Sequence, residues 1–524
     1  MQVHRWVNIC GKIQLFLHNM NQTHNYGEQA LTIDIAMGIA QGTITGVLSK
    51  YTVGIISQSV ANVAHLVHSG TTVYGINTGF GPLCDTLISP TDTSTLQHNL
   101  LLSHAVGVGK PIPSIIAKLM LITKVQALAQ GYSGISIAVI ERILWHIQHN
   151  YIPIVPEQGS VGASGDLAPL AHLFLPLIGY GTLLVNDVEV DAAAHLHQHH
   201  MLPLTLQAKE GLGLINGTQF ILAHAIYGVY TMQHMLNVAD VVGAMSAEAY
   251  MASIAPYNEA LHTLRPYAGT IQVATRLRHI LRGSGIVASH HNCTRVQDPY
   301  SIRCMPQVHG ASRNALQHLQ QLTLVELNSV TDNPVILSAT ESISGGNFHG
   351  QPLAMALDYV TVAAAELGNI SDRRCYLLLE GKYGLPKLLI QDAGLNSGLM
   401  IPQYTTAALV TENKTLCYPA SADSIPTSLG QEDHVSMGSI SGRKWLQVLN
   451  NVHYILAIEL LYATQGIELR RPLQSSTYIE NMVQLVRTKV AHLHSDRFLQ
   501  PDILALYHLV KSDAYRPLFD IVEV

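Results

Sequence analysis

One segment of this chain is apolar on nearly every face of the helix that it would form. It covers residues 444–466, and its apolar side chains include Trp445, Leu446, Val448, Leu449, Val452, Ile455, Leu456, Ile458, Leu460 and Leu461. A helix that is apolar all round is buried, so the chain must fold around a large helical core. Two further stretches suit such a core, because residues 313–330 carry a leucine stripe and residues 352–368 are rich in alanine.

Helical patterns dominate from about residue 110 onward, whereas strand patterns are short and few. The clearest strand candidates are residues 72–74 and 183–190. Asp332-Asn333-Pro334 is a typical helix stop after the stripe at 313–330. No repeat or low-complexity linker divides the chain. We therefore predict a mainly α fold.

The composition of the 524 residues restricts the partners of the protein. Hydrophobic residues make up 48% of the chain and charged residues only 12%, which allows a large core and favours an oligomer that hides apolar surface. The net charge is −6 and no block of lysine or arginine occurs, so we expect no nucleic-acid partner. The most apolar stretch, residues 168–185, is interrupted by His172 and by prolines, so we expect no membrane span.

The cysteines and histidines show no pattern typical of a disulfide framework or a metal site. The six cysteines are scattered without a Cys-x-x-Cys pair, at Cys10, Cys84, Cys293, Cys304, Cys375 and Cys417. This pattern predicts reduced thiols in a cytoplasmic protein. The histidines of residues 195–200 are spaced two apart on what we expect to be an irregular or surface segment, so we interpret them as surface residues and expect no metal.

The first 26 residues differ from the rest of the chain. The apolar core of this stretch is too short for a secretory signal, and no small-residue cleavage site follows it. We expect residues 1–26 to be a loosely attached extension, or translation to begin at Met20.

The most distinctive chemistry lies in residues 159–172, which read Gly-Ser-Val-Gly-Ala-Ser-Gly-Asp-Leu-Ala-Pro-Leu-Ala-His. None of Ala163, Ser164 and Gly165 is a good base or an unassisted nucleophile. Attack of the Gly165 nitrogen on the Ala163 carbonyl would nevertheless close a backbone ring, and loss of water would leave an electrophilic methylidene. Glycine suits the attacking position because it lacks a Cβ. For a bare Ala-Ser-Gly, an ordinary glycine-rich turn is the better interpretation.

Five further motifs occur in one order along the chain. They are Tyr74-Gly75-Ile76-Asn77-Thr78-Gly79-Phe80-Gly81, Leu214-Ile215-Asn216-Gly217-Thr218-Gln219, Gln297-Asp298-Pro299-Tyr300-Ser301-Ile302-Arg303-Cys304, Gly345-Gly346-Asn347-Phe348-His349-Gly350 and Gln431-Glu432-Asp433-His434-Val435-Ser436-Met437. Together with residues 159–172, this set resembles the ammonia-lyases and aminomutases that carry a methylidene-imidazolone (MIO) group. The resemblance extends from about residue 30 to about 515.

This resemblance implies the architecture and the cofactor. The fold would be a long central helical bundle of the ammonia-lyase and fumarase type, with a smaller N-terminal α/β portion that carries the MIO group. We expect residues 27–215 to form the N-terminal portion and 216–524 the bundle and C-terminal helices. The MIO group would form autocatalytically from Ala163-Ser164-Gly165, with no external cofactor. The protein would be a homotetramer whose active sites are each built from three chains.

The resemblance also implies roles for individual side chains. Tyr74 would remove the β-proton of an amino acid, and because a neutral phenol cannot do this, its pKa would have to be lowered. Arg303 would hold the substrate carboxylate through paired hydrogen bonds. Asn216 and Gln297 would position the amino and carboxylate groups, and Tyr300 would help to form the electrophile or shuttle a proton.

Three more residues flank the expected site. Phe348 and Asn347 would wall the prosthetic group. Asp166, which follows the tripeptide, would polarise the backbone for cyclisation.

The substrate side chain would meet Ser103-His104 and Glu432. Relatives that act on tyrosine also use a histidine at the first position, so His104 alone does not decide the substrate. A carboxylate at Glu432 suits an imidazole ring, whereas a phenyl ring would leave its charge unpaired. Gln431-Glu432-Asp433-His434 resembles the form found in relatives that act on histidine. The sequence thus indicates elimination of ammonia from L-histidine to give trans-urocanate, the first step of histidine breakdown.

The sequence also leaves other functions open. A tyrosine or phenylalanine ammonia-lyase or a 2,3-aminomutase would use the same scaffold. A structural or regulatory homologue without activity would have lost a key residue, but no departure falls at the motif positions. Glu432 rather than Tyr74 could also remove the β-proton.

Overall fold

The computed structural model describes residues 22–70, 72–289 and 295–520. The chain divides into two compact units. The first contains the residues up to Tyr230 together with Gln320–Leu357 and Pro419–Arg443, and the second contains Thr231–Leu319, Asp358–Tyr418 and the residues from Lys444 onward. The expected division near residue 215 is thus replaced by an interleaved one, because residues 320–357 and 419–443 pack with the N-terminal part.

Helices dominate the described residues, which confirms the predicted mainly α class. The first ten are α1 Ile33–Gln41, α2 Lys50–His68, α3 Thr93–His104, α4 Ser114–Leu128, α5 Ile137–His149, α6 Leu167–Phe174, α7 Ala192–Gln198, α8 Glu210–Ile215, α9 Gln219–Ala249 and α10 Glu259–Thr263. The next ten are α11 Ala268–Ile280, α12 Gly285–Ser289, α13 Tyr300–Arg303, α14 Met305–Leu327, α15 Gln351–Leu379, α16 Met400–Leu416, α17 Gly438–Glu468, α18 Thr477–Arg487, α19 Gln500–Lys511 and α20 Arg516–Phe519.

The strands are short and belong to the first unit. They are β1 Gln22–Asn25, β2 Ile44–Val47, β3 Val108–Pro111, β4 Ile152–Pro153, β5 Pro156–Gln158, β6 Thr182–Val185, β7 Val188–Asp191, β8 Val335–Ile336 and β9 Ser342–Ile343. Strand β1 pairs in parallel with β2, while β3 with β5, β8 with β9 and the three-stranded order β4-β6-β7 are antiparallel. Apart from β8 and β9, which lie far along the chain, these small sheets are the β part of the expected N-terminal α/β portion.

One strand prediction is correct in outline and the other is wrong. Residues 183–190 form the hairpin β6–β7, whose turn residues Asn186 and Asp187 have positive φ angles of 49° and 62°. Residues 72–74 form no strand. There the Val73 amide donates to the Asn77 side chain at 2.8 Å, and the backbone turns instead of extending.

The predicted buried helix at 444–466 is confirmed as the central part of α17. Trp445, Val452, Ile455 and Leu460 have no exposed surface. The leucine stripe at 313–330 lies in α14, which ends at Leu327 as the following Asp-Asn-Pro predicts.

Five residues assigned from the sequence to a loose extension belong to the fold. Gln22–Asn25 pairs with β2, and Tyr26 is fully buried. The Tyr26 amide continues this pairing by donating to Val47 O at 3.0 Å. Residues 1–21, which include Met20, lie outside the described residues.

Two buried carboxylates tie the helices of the second unit together. Glu459 on α17 accepts from Arg374 on α15 at 2.5 Å and from Ser246 on α9 at 2.6 Å. Asp240 on α9 binds Arg276 on α11 at 2.8 Å and His309 on α14 at 2.9 Å. Burial alone would raise the pKa of Asp240, but Arg313, the His309 hydrogen bond and Arg276 hold it well below its usual value.

One helix in the described part of the chain, α15, is long and apolar enough to cross a membrane. Within its most apolar stretch, 67% of the residues are buried inside the protein, as in a core helix.

The histidine-rich segment is helical through Gln198, and the interpretation of its histidines as surface residues is wrong for His195. His195 on α7 is buried and packs its ring against Tyr151 at 4.4 Å and Trp145 at 6.0 Å between centroids. Within the described ranges, no group of three or more His, Cys, Asp or Glu side chains could hold a metal ion.

Candidate active site

The Ala163-Ser164-Gly165 tripeptide sits in a turn that requires glycine directly before it and at its last position. Gly162 and Gly165 have positive φ angles of 73° and 77°. A Cβ atom on Gly162 would lie 2.2 Å from Ser436 Oγ, and one on Gly165 would lie 2.1 Å from the Gly217 carbonyl oxygen. The two glycines therefore allow the main chain to approach its neighbours more closely than any other residue could.

The carbonyl oxygen of Ser164 accepts two hydrogen bonds from one neighbouring segment. The Asn216 side-chain amide donates to it at 3.0 Å and the Gly217 amide at 3.3 Å. Gly217 also accepts from the Asp166 amide at 2.8 Å, so Gly165 and Gly217 face each other as a short parallel bridge. Two donors on one carbonyl oxygen stabilise negative charge that develops on it during a reaction.

Asp166 anchors this turn to the start of α9. Its buried carboxylate accepts from the amides of Phe220 and Ile221, each at 3.0 Å, and from Ser160 Oγ at 3.1 Å. Burial raises the pKa of Asp166 to about 7, against the lowering effects of these hydrogen bonds and of Lys124. The carboxyl group thus binds the N-terminus of α9. The role predicted from the sequence was a different one, polarisation of the tripeptide backbone.

Ser164 opens onto a cavity of about 500 Å³ within the first unit. Its polar walls include five of the residues that the sequence singled out, namely Tyr74, His104, Ser164, Asn216 and Glu432. Its apolar walls are formed by Phe80, Leu83, Ile88, Leu96, Leu100, Leu167, Leu212 and Ile215. A concave, mostly apolar cavity with a few convergent polar groups is the usual form of a small-molecule site.

Helix α3 presents one face to this cavity. Leu96, Asn99, Leu100 and Ser103 line it at the spacing of successive helical turns, and His104 ends the helix. No motif pattern in the sequence singles out Asn99, which becomes visible as a wall residue only once the helix is placed.

His104 is a neutral hydrogen-bonding group in this cavity. Burial lowers its pKa, and the backbone hydrogen bond with Leu100 and the charge of Glu432 only partly oppose this effect. Its Nδ1 lies 3.0 Å from Ser103 Oγ.

Tyr74 lies on the loop before α3. Its hydroxyl oxygen accepts a hydrogen bond from the Gly81 amide at 3.1 Å, and its ring meets Phe80 edge-on. Burial raises the pKa of Tyr74. The Gly81 hydrogen bond lowers it, while the charges of Glu432 and Cys84 raise it further. The predicted lowering of this pKa is therefore wrong for the described surroundings, because burial and a facing carboxylate outweigh the single amide donor.

Glu432 faces the same cavity from the loop between α16 and α17. Within the described residues, its Oε2 is buried without a hydrogen-bond partner. The loop is fixed by the Thr427 amide, which donates to the Glu432 carbonyl at 2.9 Å. A buried carboxylate oxygen that has a vacant acceptor position favours a ligand with an N–H donor or a positive charge.

Several of the predicted side chains do not line the cavity. Gln297, Tyr300 and Arg303 belong to the second unit, where the Arg303 guanidinium lies 4.2 Å from the centre of the Tyr300 ring. Tyr300 is 70% exposed, and Gln297 is exposed as well. Phe348 is half-buried but is not one of the cavity walls.

Asn347, beside Phe348, is also directed elsewhere. Its side-chain amide donates to the Val330 carbonyl at 3.2 Å, and the residue is exposed. The order of the motifs along the sequence does not reveal which of them line this cavity, because that depends on how distant segments pack.

Comparisons with known proteins identify the family of this chain. A family model described as aromatic amino acid lyase matches residues 31–488. A histidine ammonia-lyase from Symbiobacterium thermophilum is 46% identical over 484 residues, which are 92% of this chain and 95% of that protein. One from Idiomarina loihiensis is 45% identical over 460 residues, with 87% and 90% covered.

Solved structures give the same result. The fold matches histidine ammonia-lyase from Trypanosoma cruzi with a TM-score of 0.87 and 41% identity, covering 95% of each chain. It matches a tyrosine aminomutase from Streptomyces globisporus with a TM-score of 0.90 and 32% identity, covering 96% of this chain and 99% of that one. This chain belongs to the aromatic amino acid lyase family.

Proposed function

We propose that this protein eliminates ammonia from L-histidine to give trans-urocanate. The observation that carries the substrate assignment is the vacant acceptor position of the buried Oε2 atom of Glu432 in the cavity onto which Ser164 opens. An imidazole ring can donate an N–H or carry a positive charge, so it satisfies that oxygen, whereas a phenyl ring cannot. The relatives named as histidine ammonia-lyases, at 41–46% identity, support the same choice.

The residues around the tripeptide fit an MIO group formed from Ala163, Ser164 and Gly165. Gly165 lacks the Cβ atom that would collide with Gly217 where the attacking nitrogen must approach, and two donors already converge on the Ser164 oxygen. Asn216 Oδ1 is in addition buried with no partner in the described part of the chain. The chemistry that such a group supplies is an electrophilic carbon that activates the amino group of the substrate as a leaving group.

The side chains of the cavity divide the remaining work. Glu432 and His104 bind the imidazole ring, and Asn216 orients the amino group. The β-proton goes to Tyr74 or to Glu432, which face the same space. With its pKa raised, Tyr74 needs a further positive charge before it can act as the base at neutral pH.

The remaining motif residues are best explained by a homotetramer. Arg303 would bind the substrate carboxylate, with Gln297 beside it, Tyr300 would act as a proton shuttle, and Phe348 would wall the prosthetic group. The exposure of Tyr300 and Gln297 suits delivery from neighbouring copies, so that three chains complete each site. The free cysteines of the described residues suit a cytoplasmic enzyme.

A panel of three substrates tests this function. The purified protein is incubated in turn with L-histidine, L-tyrosine and L-phenylalanine, and the ultraviolet absorbance of the conjugated product is followed. We expect a rise with histidine alone. A rise only with tyrosine or phenylalanine would instead make the protein a tyrosine or phenylalanine ammonia-lyase, and no rise with any of the three would favour an inactive homologue.

A further inference from the structure

A buried lysine lies directly behind the segment that holds Ser164. Lys124 on α4 is 1% exposed, and its ammonium donates to the carbonyl oxygens of Asn216 at 2.7 Å and Gly213 at 3.1 Å. Both acceptors are main-chain groups at the C-terminal end of α8. A second buried lysine, Lys209, is instead paired with the Asp332 carboxylate at 2.7 Å.

The Asn216 carbonyl and the Gly217 amide are the two ends of one peptide group. Lys124 therefore binds the oxygen of the same peptide whose N–H donates to the Ser164 carbonyl. A cation on the oxygen of a peptide draws electron density from its nitrogen, so the N–H becomes a stronger donor. The side chain of Asn216, the second donor to Ser164, is carried by the same residue.

We propose that Lys124 is a positioning residue that strengthens the hydrogen bonds to the Ser164 oxygen and so activates the electrophile formed from the tripeptide. It acts through the Asn216–Gly217 peptide and touches neither the substrate nor the reacting atoms. This inference rests on one part of the proposed function, the formation of the electrophile, and does not depend on which amino acid is the substrate.

Burial opposes the charge of Lys124, and two nearby carboxylates partly restore it. Burial is the main cause that lowers the pKa of Lys124 to about 7. The charge of Lys209 adds to this lowering, and the charges of Asp332 and Asp166 oppose it. A buried ammonium is costly, and a helix end could have its carbonyls satisfied by neutral donors. A cation at this place therefore suggests a use for its field beyond closing the helix.

The test compares Lys124→Met with a matched control on the same helix. Lys118 is also buried, and its ammonium donates to the Asn150 side chain at 3.0 Å. This contact does not involve the segment that binds Ser164. Lys118→Met thus removes a buried lysine from α4 without affecting the Asn216–Gly217 peptide. Lys124→Gln keeps a donor for the carbonyls but removes the charge, and it replaces Lys124→Met if that variant does not fold.

Three measurements are made on each folded variant. The mass of the proteolytic peptide that contains residues 163–165 reports cyclisation and dehydration, since the mature peptide lacks two water molecules. The rate at which a small thiol, 2-mercaptoethanol, adds to the protein reports the electrophile without the substrate. The split between kcat and KM for histidine shows whether binding or chemistry is affected.

We expect Lys124→Met and Lys124→Gln to lower both the thiol-addition rate and kcat by about tenfold, less than the loss of a direct oxyanion donor, with little change in KM. Failure of these variants to mature, while Lys118→Met matures, would equally support the proposal. A mature variant without the charge that reacts with thiol at the unmutated rate would overturn it. An unmutated protein whose peptide keeps both waters would overturn the proposed function itself.

Discussion

Asn216 donates a hydrogen bond from its side chain to the main-chain carbonyl of Ser164, at 3.0 Å across 52 positions of sequence. This bond joins the residue that follows α8 to the tripeptide that precedes α6. It makes the tripeptide part of a rigid arrangement in which Gly165, Gly217 and Asp166 are also fixed. The site is therefore built mainly from backbone contacts, which explains why glycines flank it.

The hydroxyl group of Ser164 is the source of the proposed electrophile. Ser164→Ala cannot lose water to form a methylidene, so we expect kcat to fall by at least about 10³-fold, as for the loss of a covalent catalytic group. Steady-state kinetics and the mass of the peptide carrying residues 163–165 check this. Ser160→Ala, which removes a nearby hydroxyl that donates to Asp166, is the control and should still mature. Near-normal turnover by Ser164→Ala would contradict the account.

We expect Glu432 to determine the preference for an imidazole ring. Glu432→Gln keeps the shape but removes the charge, so we expect kcat/KM for histidine to fall by about 10–100-fold, the value of a charged hydrogen bond. Inhibition by glycine, which has no ring, should change much less. Equal losses for histidine and for glycine would show that Glu432 does not contact the ring.

The charge of Glu432 also bears on the acid–base chemistry of Tyr74. Because the Glu432 carboxylate raises the pKa of Tyr74, Glu432→Gln should lower that pKa. If Tyr74 is the base, it works when deprotonated, so the rising limb of the kcat/KM profile against pH should move to lower pH in this variant. The exposed neighbour Asp433 provides the control, since Asp433→Asn should leave the limb in place. A limb that does not move in Glu432→Gln would contradict the coupling.

Asp166 contributes to stability through the amides of Phe220 and Ile221. Asp166→Ala leaves both buried N–H groups without an acceptor, and we expect a loss of about 2–4 kcal/mol in the free energy of unfolding. Asp166→Asn keeps an acceptor oxygen and should lose less. Denaturant unfolding of the three proteins at one pH checks the order, and equal losses for Ala and Asn would contradict it.

The same residue makes stability depend on pH. The folded-state pKa of Asp166 is raised to about 7, so the folded protein holds this proton more tightly than the unfolded chain does. The contribution of the carboxyl to stability is therefore present at low pH and declines as the pH rises toward 7. Asn does not titrate. The free energy of unfolding that Asp166→Asn loses relative to the unmutated protein should therefore be smaller at pH 8 than at pH 5. The opposite trend would mean that the folded pKa is not raised.

The sequence predicted the helical core well because burial leaves a direct mark on composition. A helix that is apolar all round must be buried in the core, and α17 is buried in this way. The strand predicted at residues 72–74 does not form, because β-branched residues favour strands only where a partner strand exists. Here the side chain of Asn77 takes the Val73 amide instead.

The site was predicted as a set of residues but not as a physical environment. Motif order identified Tyr74, Ser164, Asn216 and Glu432, which do line one cavity. The direction of the Tyr74 pKa shift could not be obtained in this way, because it depends on burial and on a carboxylate that lies hundreds of residues away in sequence. Lys124 stayed hidden for a related reason, since a lysine in a helix usually indicates solvent rather than a buried contact.

The most direct test of the central claim is the stoichiometry of the reaction with L-histidine. Ammonia and the unsaturated product are both quantified after partial conversion, with Ser164→Ala as the inactive reference. The account predicts one ammonia released for each trans-urocanate formed by the unmutated protein, and neither by the variant. Formation of a β-amino acid without release of ammonia, or no conversion of histidine at all, would contradict it.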